Sequence, residues 1–161
     1  FWKKIKDQLP DWKFLVVGDG DYLEELNARI KQDNVERIFT EGRQDPNKYY
    51  EKASFFVMFS AFEGFPNTIV EAHSFACPVA AFNTFSSLEY VVEENTNGFI
   101  LQPFDVDDLV KKVEIICNDS VKLQSMMQSS LKNATRFRIE TVGARWQKLF
   151  NEIDINGEIR V

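Results

Sequence analysis

The segment from Phe55 to Ala72 constrains the fold of this chain more than any other. It begins with a nearly continuous apolar run up to Ser60, continues through a loop that contains Gly64 and Pro66, and ends in a sequence of helical character. A continuous apolar run of this length is typical of a parallel strand that is buried on both faces. The segment therefore predicts a strand–loop–helix unit of a parallel α/β sheet.

Two glutamates lie in this unit, one on either side of the predicted helix start. Glu63 belongs to the loop and Glu71 to the helix, with seven residues between them. The N-terminus of a helix offers free backbone N–H groups and a positive partial charge, which together suit a phosphate. Carboxylates accept hydrogen bonds from sugar or ribose hydroxyls. An anion site with two flanking carboxylates points to a site for a nucleotide sugar.

The residues from Glu63 to Ala80 resemble the E-x7-E signature of the retaining glycosyltransferases of family 4. The glycine loop at 16–20 and the segment 97–101, which leads into the last helices, are similar to the same family. The resemblance extends over most of the chain, from about Trp12 to Phe150. Members of this family have the GT-B fold, in which two Rossmann-like domains face each other across a cleft. The resemblance implies that this chain is the half that binds the nucleotide-sugar donor.

The resemblance also assigns roles to the two glutamates. Glu63 takes the position of the catalytic glutamate, which lies beside the donor sugar and stabilises positive charge at the anomeric carbon. The alternative interpretation of Glu63 is a solvated loop carboxylate. Glu71 takes the position that binds the ribose hydroxyls, and its alternative is an exposed helix charge. Because Glu71 lies among apolar residues of the helix, we expect it to face a cleft or to be buried with hydrogen-bond donors.

The residues between the glutamates are predicted to hold the phosphates of the donor. Gly64 and Phe65 would form the turn. The backbone N–H groups of Asn67 and Thr68 would be the best-placed donors in the first helical turn, because Pro66 has no N–H. The alternative is an ordinary start of a helix with proline at its first position.

Three further residues are candidates for donor binding. Gly18 and Gly20 follow the first predicted strand, where glycine lets a loop approach a ligand closely or simply makes a tight turn. A dinucleotide-binding fingerprint would need a third glycine at the position of Leu23, so NAD binding is disfavoured. Arg43 follows the second strand and would stack on a base or pair with a phosphate, although a surface arginine in a turn is the commoner case.

Two other features are predicted to be structural. His73 lies on the apolar side of the predicted helix, so we expect a packed, hydrogen-bonded histidine rather than a general base. The D-x-D pattern that starts at Asp105 is expected to cap a helix rather than to bind a metal. The resemblance implies a site without a metal or other cofactor, in which the nucleotide diphosphate sugar is the donor substrate.

The composition disfavours several other classes of function. The chain has 161 residues and a net charge of −6, which argues against nucleic acid as a partner, since phosphate backbones need a basic surface. The sequence has no apolar run near the roughly 20 residues that a membrane-spanning helix needs. Cys77 and Cys117 lack metal-ligand spacing and are predicted to be buried free thiols.

The order of the predicted elements indicates an α/β fold, with a Rossmann-like parallel sheet flanked by helices and further helices at the C-terminus. The predicted strands are 13–17, 35–40, 54–60, 78–82 and 98–101. The predicted helices are 1–9 (its last turns only), 22–32 with Asp21 as its cap, 46–53, 67–76, 87–93, 109–118, 121–135 and 139–153. We interpret residues 1–161 as a single donor-binding domain, truncated at its N-terminus, that lacks the first strand with its basic loop and the acceptor domain.

From the resemblance we expect a retaining glycosyltransferase of the hexosyltransferase type, which transfers a sugar to an acceptor hydroxyl in polysaccharide or glycolipid biosynthesis. The expected partners are the nucleotide-sugar donor and a glycan or lipid-linked acceptor, bound through the absent N-terminal domain. The fragment alone would be inactive. The expected location is the cytoplasm, with peripheral association of the full-length protein at the inner face of the membrane. A non-catalytic or degenerate nucleotide-binding module is the main alternative, and a doubly wound oxidoreductase is the other.

Overall fold

The computed structural model describes residues 1–153, in which strands and helices alternate before the chain ends in consecutive helices. The strands are β1 (Phe14–Val17), β2 (Ile38–Gly42), β3 (Phe56–Met58), β4 (Val79–Phe82) and β5 (Gly98–Leu101). The helices are α1 (Trp2–Ile5), α2 (Leu23–Gln32), α3 (Asn47–Tyr50), α4 (Asn67–Ser74), α5 (Leu88–Val91), α6 (Val106–Asn118), α7 (Ser120–Ala134) and α8 (Ile139–Glu152). A 3₁₀ turn, Thr135–Phe137, joins α7 to α8. This order confirms the predicted α/β fold class. Residues 154–161, which the domain prediction includes, lie outside the described part.

The five strands form two parallel sheets rather than one continuous sheet. β1 pairs with β2, and β4 lies between β3 and β5. A cavity of about 1120 Å³ lies between β1 and β3, and its walls include Phe14–Val17 on one side and Phe55–Val57 on the other. Within residues 1–153 no strand occupies this space. We call it the inter-sheet cavity.

β4 is buried on both faces and organises the core. Ala80 and Phe82 face a large cluster formed with α1, α6 and α7, whereas Val79 and Ala81 face a second cluster formed with α4 and α5. This alternation follows from the pleat of the strand, which directs successive side chains to opposite faces. Ile69 of α4 is fully buried in the second cluster. The helix that carries the motif is thereby fixed on the sheet.

The observed strands differ from the predicted ones where the backbone or the pairing demands it. β2 begins at Ile38 rather than at 35, because Asn34 and Arg37 adopt positive φ angles of 49° and 56° that interrupt an extended strand. β3 covers Phe56–Met58 instead of 54–60, since these are the residues that pair with β4.

Two helix starts were predicted from aspartate caps, with opposite outcomes. The Asp105 side chain accepts a hydrogen bond from the Asp108 N–H at 2.9 Å, so α6 begins at Val106 as a capped helix. This cap was predicted correctly. The predicted cap at Asp21 is wrong, because α2 begins at Leu23 with Tyr22 at the N-cap position and without a side-chain cap.

The two cysteines are free, as predicted. Cys77 is buried and Cys117 is half-buried, and burial raises the pKa of each thiol to about 12. In the part of the chain that the structure describes, none of the helices has the length and apolar character needed to span a membrane.

Candidate functional site

The motif loop, residues 60–66, and the motif helix α4 lie at the carboxyl end of β3, the edge where parallel α/β sheets bind ligands. Glu63 is half-buried in the loop. Glu71 is exposed on α4, and together with Thr68 it borders the inter-sheet cavity. Glu71 therefore borders a cavity and is not buried, and its exposure also agrees with the alternative interpretation of an exposed helix charge.

The N-terminus of α4 presents a free backbone donor toward solvent. Pro66 occupies the N-cap position, and no side chain caps the helix. The Asn67 N–H already donates to the Phe65 carbonyl at 2.9 Å, in a tight three-residue turn. The Thr68 N–H has no protein acceptor among residues 1–153. Of the two amides predicted to bind phosphate, Thr68 is thus the better placed, and the positive end of the helix dipole lies beside it.

The carboxylate of Glu71 has no protein partner in the described part of the chain. The Ser74 hydroxyl donates a hydrogen bond to the backbone carbonyl of Glu71 at 2.6 Å, and not to its carboxylate. The negative charge of Glu71 acts on the buried Tyr50. The pKa of Tyr50 is raised to about 12, mainly by burial and to a lesser extent by the charge of Glu71. A carboxylate that is exposed, unpaired and beside a cavity can accept hydrogen bonds from the hydroxyls of a ligand.

Two hydroxyl groups hold the motif loop from the neighbouring loop. The Thr84 hydroxyl donates to the Ser60 carbonyl at 2.7 Å, and the Ser87 hydroxyl donates to the Gly64 carbonyl at 3.0 Å. Neither residue was among the predicted site residues. Their position after β4 was the available signal, because the carboxyl ends of β3 and β4 meet at one edge of the sheet.

An aromatic contact holds the same loop from the C-terminal part of the chain. The ring of Phe65 lies 5.8 Å from the ring of Phe137 in the 3₁₀ turn. Phe65 was predicted to form part of the phosphate-binding turn, and the structure gives its side chain a packing role there. The sequence has no local signal for this contact, because its two partners are far apart along the chain.

The other candidates lie on neighbouring loops and not at the inter-sheet cavity. Gly18 has a φ of 137°, which side chains rarely adopt, and its N–H donates to the Gly42 carbonyl at 2.7 Å. The turn itself therefore requires glycine at this position. Gly20 has open space where a Cβ would lie, and Arg43 is exposed in the loop that follows β2. These residues and Glu63 do not line the cavity that Thr68 and Glu71 border.

His73 is a packed core histidine, as predicted. It is fully buried, and its Nδ1 lies 3.1 Å from the side-chain nitrogen of Asn133 on α7. Burial lowers the pKa of His73 to about 4, so the ring is neutral near physiological pH. Among residues 1–153, no three His, Cys, Asp or Glu side chains are grouped so that they could hold a metal ion.

The architecture defines the class of protein first. Parallel strands flanked by helices, with the motif loop at their carboxyl edge, form a Rossmann-like domain of the GT-B type. A solved structure of a Staphylococcus aureus TarM mutant, in complex with fondaparinux, α-GlcNAc-glycerol and UDP, has the same fold. The two superpose with a TM-score of 0.82 and 25% sequence identity, over 91% of this chain and 30% of that one.

The family follows from the sequence comparison. The family model described as "Glycosyl transferases group 1" matches residues 1–134, and this chain belongs to that family. An uncharacterized glycosyltransferase of Haemophilus influenzae is 28% identical over 148 residues, which are 91% of this chain and 42% of that protein.

A second relative is the GalNAc-α-(1→4)-GalNAc-α-(1→3)-diNAcBac-PP-undecaprenol α-1,4-N-acetyl-D-galactosaminyltransferase of Campylobacter jejuni. It is 24% identical over 148 residues, which are 92% of this chain and 41% of the relative. The chain spans less than half the length of both curated relatives.

Proposed function

We propose that this chain binds the nucleotide diphosphate sugar of a retaining glycosyltransferase of the hexosyltransferase type. One observation carries the proposal: the free N–H of Thr68 and the unpaired carboxylate of Glu71 border the same cavity at the start of one helix. A nucleotide diphosphate requires a hydrogen-bond donor for its phosphates and a hydrogen-bond acceptor for its ribose hydroxyls. Membership of the glycosyltransferase family supports this assignment.

The spacing of Thr68 and Glu71 matches the order of groups in the ligand. Residues three apart on a helix lie on one face, about 5–6 Å from each other between Cβ atoms. The phosphates would lie at the free N-terminus of α4, and the ribose hydroxyls would lie one turn further along, at Glu71. Gly18, Gly20 and Arg43, on adjacent loops, would contribute to the rest of the donor pocket.

Glu63 precedes the phosphate site and would lie on the side of the sugar. Its carboxylate would stabilise the positive charge that develops at the anomeric carbon as the bond to the diphosphate breaks. The leaving diphosphate would gain stabilisation from the helix N-terminus. Catalysis would then rest on positioning and electrostatic stabilisation, with no metal or other cofactor in the proposal.

The acceptor would be bound by a second domain of a longer protein. The name of the C. jejuni relative describes a glycan on a diphospho-undecaprenol carrier, and the TarM complex contains a glycosylated glycerol beside UDP. By analogy, we propose a glycan or lipid-linked acceptor in polysaccharide or glycolipid biosynthesis. A lipid-linked acceptor would place the reaction at the cytoplasmic face of a membrane, with peripheral association of the full-length protein.

Calorimetric titration with UDP, GDP and ADP tests donor binding directly. We expect one of the three to bind. Glu71→Gln should weaken that binding by about 10- to 100-fold, because hydrogen bonds to a charged group contribute about 1.5–3 kcal/mol. Glu63→Gln is the matched control, since it neutralises the other glutamate of the motif. Its affinity should stay within about twofold of the wild type, because the free nucleotide lacks the sugar.

The outcomes separate the alternatives. Equal losses of affinity in the two variants would contradict separate roles for Glu71 at the ribose and Glu63 at the sugar. No detectable binding of any of the three nucleotides would contradict donor binding by this chain. Nucleotide binding without sugar transfer by the longer protein would favour the degenerate module.

A further inference from the structure

A connected set of side chains links the motif loop to the motif helix, and Arg136 lies at its centre. The guanidinium carbon of Arg136 lies 5.0 Å from the ring centre of Tyr90 and 5.2 Å from that of Phe137. Its Nη1 donates a 2.8 Å hydrogen bond to Oδ1 of Asn133. Arg136 is the middle residue of the 3₁₀ turn, and its exposed side chain contacts α5, α7 and the neighbouring residue of the turn.

On one side, this set reaches the motif loop. Phe137, over which the guanidinium lies, packs against Phe65 with 5.8 Å between ring centres and against Tyr90 with 5.9 Å. The three rings and the Arg136 cation form one surface cluster. Phe65 thus packs against Phe137, the ring over which the guanidinium of Arg136 lies.

On the other side, the set reaches the motif helix. Because Oδ1 of Asn133 accepts from Arg136, its amide nitrogen is directed to other partners. This nitrogen donates to the Val91 carbonyl at 2.7 Å and lies 3.1 Å from Nδ1 of His73. The amide orientation makes Nδ1 the acceptor and leaves the ring proton on Nε2. His73 is two residues from Glu71 on α4, so this contact fixes the part of the helix that carries the carboxylate.

We propose that Arg136 is a positioning residue of the donor site. Through Phe137 it holds the loop of Glu63, and through Asn133 and His73 it holds the helix of Glu71. The two carboxylates thereby keep a fixed relation to each other. This inference rests on the proposed function of the site, and Arg136 itself touches no donor atom in it. Arginine suits the role because its planar group can stack on rings and donate directional hydrogen bonds together.

The test compares Arg136→Met with Arg145→Met as a matched control. Arg145 is also an arginine beside Tyr90, with its Nη1 3.3 Å from the Tyr90 hydroxyl. It lies on α8 and makes no contact with Asn133 or Phe137 of the kind that Arg136 makes. Both variants remove one positive charge next to the same ring, but only the first breaks the link between loop and helix.

The first readout is hydrogen–deuterium exchange without any nucleotide. The N–H groups of Ile69 and Val70 bond to the Pro66 carbonyl at 3.0 and 3.4 Å, so their exchange reports the junction of motif loop and motif helix. We expect Arg136→Met to speed this exchange by about 3- to 30-fold, as for side chains that transmit coupling between elements. Exchange in β4 and β5 should not change, and Arg145→Met should leave all of these rates as in the wild type.

The second readout is affinity for whichever of UDP, GDP or ADP binds. Arg136→Met should weaken nucleotide affinity by about 3- to 30-fold. The affinity of Arg136→Lys should lie between those of Arg136→Met and the wild type, and Arg145→Met should bind like the wild type. Unchanged exchange at Ile69 and Val70, equal effects of the two methionine variants, or faster exchange throughout the chain would each overturn the proposal. A local exchange effect in a chain that binds no nucleotide would support the positional link and count against the proposed function.

Discussion

Gly98 lies opposite Val79 in the β4–β5 pair, so close that a Cβ on Gly98 would be 2.5 Å from the Val79 carbonyl oxygen. The same atom would lie 2.9 Å from a methyl group of Val79 and from one of Val92. A backbone oxygen cannot give way as the end of a flexible side chain can. The close approach of β4 and β5 thus depends on the absence of a side chain at this position.

Gly98→Ala is expected to lower the free energy of unfolding by about 1–3 kcal/mol, the usual cost of overpacking a core. Gly143→Ala is the matched control, because Gly143 lies inside α8 with nothing within 4 Å of its Cβ position. It should raise the free energy of unfolding by about 0.5–1 kcal/mol, since alanine favours a helix over glycine. Urea denaturation of both variants measures the difference, and shifts of the same sign would contradict the packing argument.

The buried His73 should make the stability of this chain fall as the pH is lowered. Burial lowers its pKa from 6.5 to about 4 in the folded chain, so the unfolded chain binds more protons between these values. The stabilisation is therefore complete above about pH 6.5 and is lost as the pH falls through about 4, up to roughly 3 kcal/mol in total.

The contribution of His73 can be separated from that of the carboxylates with His73→Gln. This variant keeps a polar side chain but does not titrate, so its free energy of unfolding should fall less between about pH 6.5 and 4 than that of the wild type. Urea denaturation at several pH values gives the difference. Parallel pH profiles would show that protonation of His73 is not coupled to unfolding.

Much of the fold follows from local sequence patterns. All four residues of β4 are buried, and a strand buried on both faces must be a continuous apolar run, which is why 78–82 was predicted within one residue. The cap at Asp105 was equally predictable, because its side chain accepts a hydrogen bond from the N–H of Asp108, only three residues further on. In both cases the physical cause lies within a few residues of the element.

The support of the candidate site could not be predicted in this way. The contacts between Thr84 and Ser60 and between Phe137 and Phe65 join distant segments, and they depend on rotamers that a sequence pattern does not fix. The bounds of β3 were mispredicted for the same reason. They are set by pairing with β4, a distant segment, and not by the apolar run. The predicted positions of Glu63 and Glu71 relative to the start of α4 needed only the local motif, whereas what holds them needed the tertiary structure.

The two cysteines should react slowly with thiol reagents while the chain is folded. Cys77 and Cys117 have pKa values raised to about 12 by burial, and the thiolate is the reactive form. Modification by a disulfide reagent near neutral pH should be about a hundredfold slower than in denaturant, or slower still. Ser125→Cys, at an exposed position on α7, is the control and should react as a free thiol. Fast labelling of Cys77 in the folded chain would show that its site opens readily.

Thr84→Val should loosen the motif loop while it nearly preserves the shape of the side chain. Valine replaces the hydroxyl with a methyl group, so the Ser60 carbonyl loses its 2.7 Å hydrogen bond, and the free energy of unfolding should fall by about 1 kcal/mol. Thr96→Val, at a half-buried threonine, is the control for the change of residue type and should have a smaller effect. Because the lost bond holds the loop that carries Glu63, sugar transfer by the longer protein should fall more in Thr84→Val than in Thr96→Val. Equal activity of the two variants would show that this hydrogen bond stabilises the fold without positioning Glu63.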